Sequence, residues 1–258
     1  MPTDAQPWID ALRTSHERLA ALVADLDADA LREPSYAEKW TIADVLSHLG
    51  SGAEIDALRV RAAVEHRDNA GLDVNQPIWD RWNAKSPEEQ ARDAIPADAA
   101  DLATIEAVTE DERRGAHLTF GPMELDFTDV VALRLGEHAL HTWDIAVARD
   151  PAAVVSADAV ALIAEHTLLR TAGWGTKPTG RRLTVNLRTR EGRTFVLRLT
   201  GDSASFAAGA DAGAAGTVTI TDEQLVRLVY GRLDDAPGAV IDGDAVTLDD
   251  VREAFPGF

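Results

Sequence analysis

The chain contains no cysteine. That excludes disulfide staples, thiolate-ligated zinc ribbons and any protein thiol nucleophile. Thiol chemistry in this protein therefore requires a thiol brought from outside. Lysine is almost as scarce, confined to Lys39, Lys85 and Lys177, and all basic residues together number 25 against 44 acidic ones, a formal charge of −19. A surface that negative repels phosphate backbones and anionic lipid, so neither nucleic acid nor a membrane is an expected partner. An anionic small molecule would need a local group of arginines. No stretch approaches the roughly 18 uninterrupted apolar residues of a membrane span. Met1 to Trp8 lacks the basic region and apolar run of a secretory signal, so a cytoplasmic location is expected.

What is present is globular in character. Hydrophobic residues make up 45% and charged residues 27% of 258 positions, a length that suits one to two domains with a sizeable core. From Trp8 to Leu26 the apolar residues Trp8, Leu12, Leu19, Val23 and Leu26 recur at helical spacing, with His16 on the same stripe as a packed core histidine. Thr41 followed by Asp44 marks a helix start, and Ile42, Val45, Leu46 and Leu49 continue it to about Val64. Asp68 to Asn83 reads as a long connection, rich in Asn, Gly and Asp. Its Trp79 and Trp82 would form a flap packed on the bundle or the wall of a pocket. Ser86-Pro87-Glu88-Glu89 opens a third helix toward Val108, with Pro96 a kink or break. Thr109 to Gly115 reads as a solvated turn, and Asp126 starts a fourth helix ending near Pro151.

After Pro151 the period changes. One more helix, Ser156 to Ala172, precedes a β-hairpin of Arg182–Arg188 and Thr194–Leu199, a strand Thr217–Ile220, and helices from Thr221 to Tyr230 and Leu248 to Phe255. Ala204 to Gly216 reads as a loop of small residues. The expected fold class is α+β in two domains: a four-helix bundle over 1–150 and a small α+β domain over 151–258.

The fourth helix carries Glu137-His138-Ala139-Leu140-His141. Residues four apart share a helical face, so Glu137 and His141 can address one ion, and His48 from the second helix can supply a third ligand. Two imidazoles and a carboxylate with an open position suit catalytic zinc, and equally non-heme iron. A surface Glu–His pair and a packed core histidine explain the same residues without a metal. Asp144 and Asp44 are spaced to orient the imidazoles of His141 and His48. His138, one step off that face, is a weaker substitute for His141. Trp143 is expected to pack between helices.

These residues carry a resemblance. Trp40-Thr41-Ile42-Ala43-Asp44-Val45-Leu46-Ser47-His48-Leu49, then Asn83, then Arg134, Glu137, His141 and Asp144-Ile145, resemble the mycothiol-dependent maleylpyruvate isomerase family, whose N-terminal part is a DinB-like four-helix bundle. Leu225 to Arg232 followed by Gly243-Asp244 resembles that family's C-terminal domain, itself similar to sterol carrier domains. The resemblance implies zinc held by His48, Glu137 and His141, an active-site arginine at Arg232 with Arg227 as competitor, and mycothiol as the external thiol. Thr142 stands where the family often has a second histidine; here the extra one is His138. The implied chemistry is thiolate attack on a small electrophile, giving cis–trans isomerisation or S-transfer. Arg134 would assist an anionic substrate or, more simply, pair with Glu137. Two other readings use the same residues: a non-catalytic carrier of a small molecule or lipid, and a non-heme iron oxygenase.

Overall fold

The computed structural model describes residues 4–37 and 39–257. The first three residues of the Met1–Trp8 segment read for a signal lie outside it. The chain divides into two compact units, 1–159 and 160–258.

In the first unit, α1 (Gln6–Ala24), α2 (Ile42–Val64), α4 (Pro87–Glu106) and α6 (Phe127–Arg149) pack as a four-helix bundle, with α3 (Leu72–Asn83) against α2. The helix starts are set locally. Thr41 caps α2, Ser86 caps α4 and Asp126 caps α6, each accepting the backbone N–H three residues on while the side chain at that position reaches back. Leu19, Ile42, Val45, Leu46, Leu49 and Ile145 are buried in one shared cluster, each large side chain contributing about 1.5–3 kcal/mol.

The stretch expected to be a connection is largely helix. Trp82 of α3 presses the outer edge of its six-membered ring onto α2 at Gly50, where a Cβ would come within 2.2 Å of the indole. The Trp82 indole N–H donates to Glu54 at 2.8 Å, and the Lys85 ammonium sits 3.4 Å from the ring centroid. Trp79 packs on the same core, half-buried. Pro77 lies within α3, and α4 runs through Pro96 without ending. In both cases packing overrides the local penalty. Thr109 to Gly115 is a capped helical turn, α5 (Glu110–Gly115), rather than a plain loop. It leads to an antiparallel hairpin, β1 (His117–Phe120) and β2 (Met123–Asp126), that the sequence reading did not foresee.

Beyond Arg149 the chain forms α7 (Ala157–Leu162), a π-helical turn (Ile163–Thr167) and α8 (Leu168–Gly175). The second unit is built on β3 (Arg182–Thr189), β4 (Thr194–Thr200), β5 (Ala204–Ala208), β6 (Gly216–Ile220) and β7 (Val240–Asp242), in the order β5-β4-β3-β6-β7. Only the β3–β6 pair is parallel. Val185, Leu187, Leu197, Val218 and Ile220 are buried in this unit, as are Leu225, Val226, Leu228 and Val229 of α9 (Asp222–Val229). A short α10 (Leu248–Arg252) follows. The small-residue stretch after Asp202 thus contributes an edge strand, β5, where a loop was expected.

Candidate metal centre

His48 lies on the second turn of α2, and Glu137 and His141 lie one turn apart on α6. Packing of α2 against α6 brings the three together. The Glu137 Oε2 is 3.3 Å from His48 Nε2 and 3.6 Å from His141 Nε2. The two imidazole rings meet edge to face at 4.5 Å between centroids. One donor atom from each residue can be chosen so that all lie within 4.8 Å of one another, and among the described residues this is the one group of three or more such side chains so arranged.

The charge states match what a metal requires. Burial disfavours the charged form of His48 and outweighs the hydrogen bond to Glu137, so its pKa falls below the ordinary value and the imidazole stays neutral. Loss of solvent around the Glu137 carboxyl works against ionisation, but hydrogen bonds from His141 and His48 more than offset it and hold the group well below the usual carboxylate range. Its side chain remains half open to solvent. His141 is buried, and its Nδ1 lies 2.8 Å from Asp144 Oδ2, a carboxylate sealed from water. That contact favours the tautomer with the proton on Nδ1 and leaves Nε2 as the ligand atom. A neutral His48, a charged Glu137 carboxylate and a His141 oriented by a buried acid fit a divalent ion of the zinc or iron type.

Asp44 does not orient His48. Its carboxylate accepts from the backbone N–H and hydroxyl of Thr41, because it occupies the third position of the capping box. His138 and Arg134 are turned away from the centre as well. His138 is fully buried, with Nε2 2.9 Å from Asp98 Oδ2 and Nδ1 2.8 Å from the Ser15 hydroxyl. Arg134 pairs with Asp98 at 2.6 Å and Asp101 at 3.1 Å instead of Glu137. Each residue of a helix is rotated by about 100°, so neighbours in sequence face different helices. His16 joins the same group, 2.7 Å from Asp98. Trp143 is buried, its indole N–H donating to the Ala153 carbonyl at 2.9 Å.

Trp40 belongs to the motif but has no role assigned from sequence alone. Its ring lies 5.1 Å from that of His48 and is stacked on that of His141 at 5.9 Å, with 37% of the residue exposed. It forms an aromatic wall over both imidazoles. Its signal was position: a Trp directly before the cap of the helix that carries the first histidine. Asn83 acts beside the centre, accepting a hydrogen bond from Ser47 at 3.1 Å and fastening the end of α3 next to His48.

In the second unit, Arg227 is held by Glu223 at 2.8 Å. Arg232, half-buried, donates from Nη1 to the Tyr230 carbonyl at 2.9 Å. Neither Trp79 nor Trp82 lines either of two cavities. One, of about 220 Å³, lies along α1 and α6 beside Ser15, Thr142 and Trp143. The other, of about 380 Å³, lies in the second unit between Leu228, Asp249 and Phe255.

Fold and donor set together define a class: a helical bundle bearing two imidazoles and one carboxylate in ligating geometry. The family model described as the mycothiol maleylpyruvate isomerase N-terminal domain matches residues 12–146. That is more than half of the chain, and the chain belongs to this family. Among solved structures it is similar to the mycothiol-dependent maleylpyruvate isomerase, at 12% identity over 93% of both chains with a TM-score of 0.68. A mutant form of that isomerase gives 0.67 at the same identity and coverage. At that identity the likeness is one of fold. No curated protein matches the sequence significantly. No helix among the described residues is long and apolar enough to cross a membrane.

Proposed function

We propose that this protein is a zinc-dependent enzyme that activates mycothiol toward a small, anionic electrophile, performing maleylpyruvate-type cis–trans isomerisation or the corresponding S-transfer. The observation that carries this reading is the convergence of His48, Glu137 and His141, with His48 kept neutral by burial and Glu137 kept charged. Family membership supplies the thiol. The absence of cysteine fits it, since no residue of the chain can take that role.

His48 Nε2, His141 Nε2 and a Glu137 carboxylate oxygen would hold the ion. A bound zinc ion supplies positive charge that lowers the pKa of an incoming thiol from about 8.5 toward neutrality. Asp144 fixes His141 through Nδ1, and Trp40 bounds the space above both rings. In isomerisation the thiolate sulfur adds to one carbon of a double bond conjugated with a carbonyl, and the electron pair moves to the carbonyl oxygen. Rotation about the resulting single bond and expulsion of the thiolate give the other geometric isomer, with no net change in composition. Where the electrophile carries a leaving group, the same attack ends in S-transfer. We assign Arg232 to the carboxylates of the substrate, with Arg227 as its competitor.

The test is metal analysis of tag-free protein beside a His48→Ala variant, followed by turnover of maleylpyruvate with and without mycothiol. About one zinc per chain, lost in the variant, together with thiol-dependent turnover lost in Arg232→Ala, is the expected result. No metal that depends on His48 after incubation with zinc would overturn the mechanism in favour of the carrier reading. Native iron with oxygen consumption would replace it with the oxygenase reading.

A further inference from the structure

A second pair of histidines lies outside this centre. His66 follows the C-terminus of α2 and His117 begins β1, 51 residues later. Their Nδ1 atoms are 3.1 Å apart and the ring centroids 4.7 Å apart. Both side chains are exposed. We infer that His66 and His117 form a second, surface binding site for a divalent late transition metal, with both Nδ1 atoms as ligands and water completing the shell.

Three observations support this. The first is the spacing. With a metal–nitrogen bond of about 2.05 Å, two ligand nitrogens stand about 2.9 Å apart at a right angle and about 3.3 Å apart at the tetrahedral angle. The observed separation falls between these limits. The second is the backbone. His66 has φ of 54°, and it is the one residue other than glycine with positive φ among the described residues. The N–H of Arg67 returns to the Ala62 carbonyl, the helix-ending turn in which glycine is the usual occupant of this position. A left-handed histidine where glycine would be unstrained directs attention to its side chain, because it is this conformation that carries the imidazole over His117. The third is the surroundings. The Gly115 carbonyl lies 3.4 Å from His117 Nδ1 and offers a further oxygen, and the strong negative charge of the chain concentrates cations near its surface.

No third imidazole or carboxylate completes the set among the described residues. The site is therefore weaker than the His48 centre and selects ions that favour imidazole, zinc, nickel or copper, over calcium and magnesium. Its position gives it a structural consequence. Metal bound there clamps the end of α2, the helix of His48, to the hairpin that runs into α6 through its cap, Asp126. The Arg59 guanidinium over the Phe120 ring, at 5.1 Å, already joins the same two elements.

The experiment is calorimetric titration of the metal-stripped full chain with zinc chloride, for wild type, His66→Asn, His117→Asn and His48→Ala. Asparagine tolerates the left-handed backbone, so His66→Asn removes the ligand without disturbing the turn. Wild type should bind two zinc ions, the weaker one lost or weakened at least tenfold in both asparagine variants and retained in His48→Ala. A thermal upshift on adding the second equivalent should vanish in the same two variants. If the His48 centre takes no metal, wild type should still bind one ion, and that one should disappear in His66→Asn. A weaker class that survives both asparagine variants, or that an equal concentration of calcium displaces, would overturn the site. So would the absence of any zinc sensitive to His66, leaving the pair joined by a shared proton alone.

Discussion

Helix α6 carries two polar clusters on adjacent faces, and they are built as opposites. On the face toward His48 and Trp40, Glu137 and His141 gather with His48 around a half-open carboxylate, and burial favours the neutral form of His48. On the other face, Arg134 and His138 are sealed with Asp98, Asp101 and Asp56, and His16 meets them at the rim. There the chain supplies its own countercharge. Arg134 and Arg59 face Asp56, Asp98 and Asp101, and burial together with mutual repulsion pushes Asp56 and Asp101 upward. Asp98 is also disfavoured by burial, yet His138, His16 and Arg134 hold it far below the ordinary range. The same residue types thus meet buried countercharges of the chain on one face and share a half-open carboxylate on the other. Glu137 and His138, neighbours in sequence, fall on opposite sides of that division.

The largest effect that would break this division is a difference between Arg134→Met and Glu137→Gln. Removing Arg134 strands buried carboxylates without their main cation, so Arg134→Met should lose about 3–5 kcal/mol of stability in urea unfolding. Zinc stoichiometry of the folded protein should be unchanged. Glu137→Gln should change stability by no more than about 1 kcal/mol, yet weaken zinc binding by more than the roughly 10–100-fold expected on losing a supporting residue. If Arg134→Met abolished metal binding while the fold held, the two clusters would be one functional unit.

A smaller effect separates the two acids that spacing alone had made equivalent. Asp144→Ala removes the carboxylate on His141 Nδ1 and should weaken zinc binding about 10–100-fold in a chelator competition. Asp44→Ala should leave zinc affinity alone and cost about 1 kcal/mol of stability through the cap of α2. Equal losses of zinc affinity in both variants would show that α2 is positioned, not that His141 is oriented.

The contrast between Asp44 and Asp144 also marks how much was legible in the sequence. The bundle helices announce themselves through Thr41, Ser86 and Asp126 at their caps and through the apolar stripe from Ile42 to Leu49, because those signals are local. The convergence of His48 with Glu137 and His141 was readable from helical spacing plus the resemblance. The partner of Arg134 was not, since Asp98 and Asp101 lie on α4 and no spacing on α6 points to them. The helix at Leu72–Asn83 was hidden by Pro77 and by its polar residues. It owes its order to Trp82 filling the space above Gly50, a contact between segments more than 30 residues apart. The short hairpin before α6 and the histidine pair at its base were missed for the same reason: each half is unremarkable until the fold brings it to the other.

The smallest effect concerns the rim of the sealed cluster, where His16 meets Asp98 with a modest part of its side chain still exposed. The hydrogen bond to Asp98 raises the His16 pKa above its ordinary 6.5, outweighing the opposing effect of burial. A folded-state pKa above the unfolded one means that protonated His16 favours the folded state. Its contribution is fully present below about pH 6.5 and is lost as pH rises through the folded-state value. His138 has the opposite sign, its pKa lowered chiefly by burial against the pull of Asp98, with His16 a minor further influence, so the comparison of wild type with His16→Gln reads mainly His16. The stability gap between the two should therefore be widest near pH 5.5 and shrink by pH 8.5 in urea unfolding. A gap independent of pH would assign His16 to packing and confine the charge balance of the sealed cluster to Arg134, Asp98 and His138.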